Sequence, residues 1–332
     1  MTGILLINIG TPDSPKTKDV RKYLGSFLND PRVIDIPWIA RKALVNLIIV
    51  PFRSPKSAKL YQEIWTEKGS PLLSNSIAFK EKLQQKLGDQ FMVEIGMRYG
   101  NPGLEAAFDK FKREKVEKII LLPVFPQYAS STSGSAIEES FRILSKWSQI
   151  PQIKTIEQFF NKKAFQTAFA DRVKKYKPEQ YDHIVMSYHG LPLRQVFAAH
   201  PGHNCDELHC KTQWGKDNYF CYQSACYATS RLLAEKLGLP SNAYSTSFQS
   251  RLGKGWITPF TDILVKEKAS SGTKKILVIS PAFVADCLET EHELAIELKN
   301  EFIENGGEQL TLVESLNDSD LWVSAVESFI KE

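Results

Sequence analysis

The sequence predicts an α/β protein made of two similar halves, each a four-stranded parallel sheet flanked by helices. Eight short apolar runs rich in β-branched residues alternate with amphipathic stretches of helical length, which is typical of parallel sheets covered on both faces. The two halves of the chain also repeat the same order of features. Hydrophobic residues make up 42% and charged residues 24% of the 332 residues, which excludes a disordered or fibrous chain.

The apolar runs predict eight buried strands, because each is too short for a helix and is bounded by polar or turn-forming residues. In chain order they are residues 4–9, 91–99, 118–124, 153–159, 183–188, 242–248, 275–279 and 310–314. The amphipathic stretches between them predict helices at residues 101–115, 134–147, 162–175, 226–237 and 289–302.

The internal repeat sets the predicted domain organisation. Residues 4–12 and 184–192 are both apolar strands that end in Gly-x-Pro, and a Lys-initiated strand follows later in each half. We therefore predict an N-terminal α/β half over residues 1–165 and a C-terminal half over residues 166–332. Ligands of such sheets bind beyond the carboxyl ends of the strands, so we expect the site in a cleft between the halves.

Charge and motif content exclude several function classes. The net charge of +4 comes without a long basic block, which argues against nucleic acid as a partner. The glycine fingerprints of dinucleotide enzymes and P-loop NTPases do not occur in the sequence. The apolar residues 43–52, flanked by Arg41, Lys42, Arg53 and Lys56, are too few to span a bilayer. They predict either a helix lying on a membrane surface or one packed on a core or lining a pocket.

Candidate catalytic groups follow the predicted strands of the second half. His189 ends the strand that opens this half, where an imidazole facing a cleft is a suitable base, although a structural histidine is the simpler alternative. Glu289, Glu293 and Glu297 are spaced four residues apart, so on an α-helix they form one acidic stripe. The stripe is either a solvated face or a row that conducts protons or passes on a divalent cation.

Four of the five cysteines fall within 22 residues as a C-x4-C-x10-C-x4-C array, namely Cys205, Cys210, Cys221 and Cys226. The absence of an export signal or long apolar run predicts a cytoplasmic protein, in which disulfides are rare. Four thiolates suit tetrahedral zinc or an iron–sulfur cluster, and the spacing is wider than the C-x2-C pairs of many zinc sites. His203 and His209 are alternative ligands.

Several motifs together resemble the ferrochelatase family, whose members insert ferrous iron into a porphyrin to make haem. They are Ser-Tyr-His-Gly-Leu-Pro at 187–192, Leu-Pro-Val-Phe-Pro-Gln-Tyr at 122–128, Phe-Gln-Ser-Arg-Leu-Gly at 248–253 and Pro-Ala-Phe-Val-Ala-Asp-Cys-Leu-Glu-Thr at 281–290. The opening segment and residues 59–72 match as well, so the similarity covers nearly the whole chain. It implies two Rossmann-like halves with the porphyrin between them.

The resemblance also implies roles for individual residues. His189 corresponds to the family histidine, as proton acceptor or iron ligand, and Glu289 to its partner across the ring, with Glu293 and Glu297 continuing a proton or metal path. The residues implied to line the porphyrin pocket are Arg98, Tyr99, Gln127, Tyr128, Ser130, Trp256 and Phe283. Residues 38–52 are implied to form the apolar lip of its entrance and to rest on a membrane.

For the cysteine-rich insert, residues 200–227, the resemblance to some bacterial family members favours a [2Fe-2S] cluster on Cys205, Cys210, Cys221 and Cys226, with structural zinc as the alternative. The expected reaction joins ferrous iron to protoporphyrin IX to form protohaem. A coproporphyrin III ferrochelatase or another tetrapyrrole metal chelatase is the alternative, and outside enzymes a periplasmic-type binding module. The expected location is cytoplasmic, peripheral on the inner face of the cell membrane, as a monomer or a homodimer.

Overall fold

A computed structural model describes residues 1–251, 253 and 255–332, and in these residues the strands form two parallel four-stranded sheets. Leu252, part of the 248–253 motif, and Lys254 lie outside the described residues. The first sheet has the order β2-β1-β3-β4 and the second β6-β5-β7-β8. Their strands are β1 Thr2–Thr11, β2 Phe91–Gly100, β3 Lys118–Pro123, β4 Gln152–Thr155, β5 His183–His189, β6 Tyr244–Gln249, β7 Lys275–Ile279 and β8 Gln309–Leu312. The predicted fold class is confirmed, and the shared strand order confirms the repeat.

Helices connect successive strands, as parallel pairing requires. The α-helices of the described residues are α1 Thr17–Leu28, α2 Trp38–Ala43, α3 Val50–Ile64, α4 Pro71–Leu87, α5 Leu104–Arg113, α6 Ser135–Leu144, α7 Lys163–Lys174, α8 Leu193–Phe197, α9 Tyr222–Leu237, α10 Thr261–Ser270, α11 Leu298–Glu304 and α12 Asp320–Lys331. Three π-helical segments lie at Leu44–Ile49, Ser130–Gly134 and Glu289–Glu297. In the described part of the chain, no helix has both the length and the apolarity to cross a bilayer.

The chain divides into two compact units. The first contains Met1–Phe125, Ser130–Gln158 and Asp318–Glu332, and the second contains Pro126–Ala129 and Phe159–Asn317. The sequence-based boundary at 165/166 therefore differs from this division at both ends of the second unit. The C-terminal helix α12 belongs to the first unit because Trp322 stacks on Phe79 of α4, with ring centroids 5.6 Å apart.

Each sheet is held by apolar side chains that its helices cover. In the first unit, Leu5 and Ile7 of β1 and Ile119 of β3 pack with Phe108 and Phe111 of α5, all fully buried. In the second unit, strand residues pack with α10, the Glu289–Glu297 segment and α11; this cluster contains Val185, Ile276, Val278, Val265, Leu294 and Phe302. Burial on both faces explains the continuous apolar runs of the sequence.

Candidate active site and metal centre

His189 is the last residue of β5 and is half-buried at the carboxyl end of the second sheet. Its Nδ1 lies 2.7 Å from the carbonyl oxygen of Gly190. Because a carbonyl oxygen only accepts hydrogen bonds, Nδ1 carries the proton, and in the neutral ring Nε2 is left as an acceptor. The hydroxyl of Tyr222 donates to the backbone oxygen of His189 at 2.9 Å. The ring therefore has a defined tautomer on an anchored backbone.

Trp256 lies against the turn that follows His189. A Cβ atom on Gly190 would stand 2.7 Å from the backbone oxygen of Gln249 and 3.3 Å from the indole of Trp256. Pro192 and Trp256 also form an antiparallel bridge. The position after the histidine accepts only glycine because the neighbouring strand and the indole leave no room for a side chain. His189 and Trp256 are thus brought together at one strand end.

The acidic residues lie on a π-helix, Glu289–Glu297, and not on the α-helix that the sequence predicts. The backbone N–H of Leu298 donates to the carbonyl oxygen of Glu293, which is the five-residue spacing of a π-helix. The spacing of the acidic side chains does not distinguish the two helix types, because residues four apart lie on roughly one face in both. π-Helical turns occur often at functional sites.

Exposure increases along the acidic row. Glu289 and Glu293 are half-buried, and the side chain of Glu297 is 56% exposed, with Oε1 3.5 Å from Nδ1 of His292. The hydroxyl of Ser250, directly after β6, donates to Glu293. Since His189 pairs with Gln249, the last residue of β6, the histidine and the acidic row both lie at the carboxyl ends of the strands of the second sheet.

A buried carboxylate anchors the start of this π-helix. Asp286 accepts hydrogen bonds from the backbone N–H of Ser315 at 3.0 Å and from Nδ2 of Asn317 at 2.7 Å. The hydroxyl of Thr290 lies 3.4 Å from the same carboxylate and accepts a hydrogen bond from the backbone N–H of Cys287. The thiol of Cys287 is fully buried, which raises its pKa, and the nearby carboxylate of Glu289 raises it further. Cys287 is therefore a neutral thiol.

The remaining second-unit residues of the predicted pocket have distinct environments. Gln127 is buried, and its Nε2 donates to the hydroxyl of Thr229 at 3.0 Å, so it braces the interior of the unit. The ring of Tyr128 packs edge-on against Phe220, with centroids 4.9 Å apart. Phe283 is half-buried after β7 and donates its backbone N–H to Ser280.

In the first unit, Arg98 and Tyr99 converge on the buried carboxylate of Asp30. Oδ2 of Asp30 accepts from Nη2 of Arg98 at 2.8 Å, from the hydroxyl of Tyr99 at 2.6 Å and from the hydroxyl of Ser135 at 2.6 Å. Burial favours the neutral acid, but the hydrogen bonds from Ser135 and Tyr99 outweigh it and hold the pKa of Asp30 below its ordinary value. Asp30 was not identified from the sequence.

Asp30, Arg98 and Tyr99 line a cavity of about 810 Å³ within the first unit. Arg21, Lys22 and Lys42 also line it, so it is suited to carboxylates. Ser130, the last of the predicted pocket residues, begins the π-helical segment Ser130–Gly134, and its hydroxyl accepts from Nη1 of Arg32 at 2.8 Å.

The cysteine-rich insert brings together a group of candidate metal ligands whose composition the sequence did not predict. His200, Cys205, Cys210 and Cys221 are all buried, and their ligand atoms lie within 4.8 Å of one another. Cys226 lies outside this group, inside α9. The thiol of Cys205 donates to Cys221 and lowers the pKa of that thiol, which favours the thiolate needed for metal binding. The missed signal is the even spacing His-x4-Cys-x4-Cys at residues 200, 205 and 210.

The comparisons with known proteins agree on one family. A family model described as Ferrochelatase matches residues 1–332. A protein named Ferrochelatase from Legionella pneumophila (strain Lens) is 44% identical over 334 residues, covering 99% of this chain and 98% of the relative. One of the same name from Coxiella burnetii (strain CbuK_Q154) is 40% identical over 342 residues, covering 99% and 93%.

Solved structures agree with the fold. The structure titled SirB from Bacillus subtilis with Fe3+ has a TM-score of 0.58 at 12% identity and covers 100% of this chain and 94% of that one. A sirohydrochlorin chelatase SirB from Bacillus subtilis subspecies spizizenii in complex with cobalt has a TM-score of 0.54 at 12% identity, with the same coverage. At this identity the similarity extends to the fold alone.

Proposed function

Because the chain belongs to the ferrochelatase family and is an enzyme that inserts ferrous iron into a porphyrin, we propose that its porphyrin is protoporphyrin IX and its product protohaem. The observation that carries the catalytic proposal is the hydrogen bond from Nδ1 of His189 to Gly190. It leaves Nε2 as the proton acceptor at a strand end, beside an acidic row.

Metal insertion requires a base, because two pyrrole N–H protons leave the macrocycle as one Fe²⁺ ion enters it. Nε2 of neutral His189 accepts such a proton and becomes imidazolium, which must lose it before the next transfer. Replacing two protons by one divalent ion leaves the total charge unchanged. The aromatic face of Trp256, next to the same turn, suits a flat apolar ring.

The acidic row supplies a route for these protons. Glu289 and Glu293 are half-buried and Glu297 is exposed, so carboxylates extend from the interior to solvent. The hydroxyl of Ser250 contacts Glu293 and, as both donor and acceptor, can take part in a relay. We assign Glu289 to the reaction centre and the other two glutamates to the proton path.

Protoporphyrin IX carries two propionates and two vinyl groups, and its low solubility in water makes a membrane its natural source. Five large apolar side chains of the 38–52 lip are each more than half exposed: Trp38, Ile39, Leu47, Ile48 and Phe52. Lys42, Arg53 and Lys56 around them are exposed as well. This combination suits peripheral binding to an anionic bilayer, which supports a cytoplasmic enzyme bound to the inner face of the cell membrane.

The His/Cys group is able to bind a metal, but it does not match a [2Fe-2S] cluster held by four cysteines. Such a cluster needs Cys226, and the fourth side chain of the folded group is His200. No step of the proposed reaction passes through this centre.

Anaerobic incubation with ferrous iron and either protoporphyrin IX or coproporphyrin III tests the proposal. We expect a higher kcat/KM with protoporphyrin, and the opposite preference would contradict the substrate assignment. His189→Ala should abolish metal insertion while porphyrin binding, followed by fluorescence, remains. His183→Gln, at the other end of the same strand, is the matched control and should retain activity at neutral pH. Near-normal turnover of the His189→Ala variant would refute the assigned base.

A further inference from the structure

The cysteine-rich insert contains a buried ligand set in an otherwise exposed stretch of chain. From residue 200 to residue 221, the buried residues are His200, Cys205, Cys210, Asn218 and Cys221. Four of these five are the members of the His/Cys group. Apart from the half-buried Trp214, which packs against Phe160 with ring centroids 4.9 Å apart, the segment has little apolar core of its own. Metal coordination would therefore add a main stabilising interaction.

The distances within the group match a single tetrahedral ion. Sγ of Cys205 lies 3.8 Å from Sγ of Cys221 and 3.5 Å from Nε2 of His200. A tetrahedral zinc ion with Zn–S bonds of about 2.3 Å and Zn–N bonds of about 2.0 Å separates two sulfurs by about 3.8 Å and a sulfur from a nitrogen by about 3.5 Å. These two separations agree with those in the structure.

A binuclear cluster has a different requirement. It divides its four ligands between two iron atoms, so ligands on opposite irons are separated by the additional length of the Fe₂S₂ unit. Here all the ligand atoms lie within 4.8 Å of one another. The compactness of the group thus favours one ion over two.

The imidazole of His200 is oriented as a metal ligand. Its Nδ1 lies 3.0 Å from the carbonyl oxygen of His203, which only accepts, so the proton is on Nδ1 and the lone pair of Nε2 faces Cys205. Metal-bound histidines typically donate their second N–H to a carbonyl or carboxylate in this way. The amide of Asn218 similarly donates to Sγ of Cys210 at 3.6 Å.

Cys226 is separated from the group by helix geometry. Cys221 directly precedes α9 and Cys226 is five residues further, inside it. Five residues of an α-helix correspond to a rotation of roughly 140° and a rise of about 7.5 Å, so the two thiols do not face the same point. We propose that His200, Cys205, Cys210 and Cys221 bind one tetrahedral divalent ion of the zinc class, which stabilises the insert, and that Cys226 is not a ligand.

Metal analysis of a matched pair of variants tests this proposal. Wild-type protein purified without added metal should contain one zinc and no acid-labile sulfide per chain. His200→Ala should lose this ion, whereas Cys226→Ala should retain it. A four-cysteine cluster predicts the reverse, with two irons and two sulfides that survive in His200→Ala, and that result would overturn the proposal.

X-ray absorption at the zinc edge of the wild-type protein is a second readout, which does not depend on whether the variants fold. Three sulfur ligands and one nitrogen ligand are expected, and a fit with four sulfurs would refute the role of His200. The same fit distinguishes this site from an ion bound at His189, because only the insert group would supply three sulfur ligands. The outcome is independent of the porphyrin assay, so failure here leaves the proposed function standing.

Discussion

Replacing Asp30 with Asn should strongly destabilise the first unit. The side chain of Asp30 is 3% exposed and that of its partner Arg98 19% exposed, and the same oxygen also accepts from Tyr99 and Ser135. Removing one partner of a buried ion pair costs about 3–5 kcal/mol. Because water partly reaches Arg98 and Asn retains one acceptor oxygen, we expect a decrease of about 3 kcal/mol in the free energy of unfolding.

Urea unfolding of Asp30→Asn, Arg98→Met and the double variant measures the coupling directly. We expect the two substitutions to be non-additive by about 2 kcal/mol, since the second removes a partner that the first has already lost. The Asp262–Arg251 pair is the matched control, because both of its side chains are 32% exposed. Asp262→Asn should cost less than about 1 kcal/mol. Equal effects of the two Asp→Asn substitutions, or additive effects of the first pair, would refute this reasoning.

The same pair predicts a pH dependence. The pKa of Asp30 is lower in the folded protein than its ordinary value because the hydrogen bonds from Ser135 and Tyr99 outweigh the effect of burial. The stabilisation is therefore present above the pKa of the unfolded chain and is lost as the pH falls through the folded pKa. The stability difference between wild type and Asp30→Asn should shrink in acid, and a constant difference would contradict this assignment.

Two further predictions concern the second sheet and the membrane lip. Burial, with a smaller effect from a nearby lysine, lowers the pKa of His183 from 6.5 to about 4, so the unfolded chain binds a proton more readily between these values. This group alone should lower the free energy of unfolding by about 3 kcal/mol between pH 7 and pH 4. His183→Gln should remove this part of the pH dependence, and a variant with an unchanged pH dependence of stability would contradict the assignment. Leu47→Glu and Phe52→Glu should each reduce the fraction of protein that sediments with anionic vesicles. Ile150 is an exposed apolar residue outside the lip, so Ile150→Glu is the control and should have no such effect. Equal effects of the three substitutions would argue against the lip as the membrane contact.

The secondary structure was largely predictable because its signal is local. Strands β1, β3 and β7 are largely continuous apolar runs, as is typical of strands buried on both faces, and the repeated run that opens each half predicted two similar halves. His189 was identifiable for the same reason, since its place at the end of a strand is a property of the nearby sequence. The helix type of the Glu289–Glu297 segment could not be predicted, because side chains four residues apart share a face in both α- and π-helices.

Features that depend on the path of the chain could not be predicted from local pattern. The partner of Arg98 is 68 residues away, and α12 packs with α4 of the first unit although it follows the second. The sequence by itself determined that candidate metal ligands are concentrated in the insert, because four cysteines lie there. Only the tertiary structure decided that His200, and not Cys226, is the fourth member of the His/Cys group. The reason is that a ligand set consists of the side chains whose lone pairs the folded backbone brings close together, and sequence spacing does not show which these are.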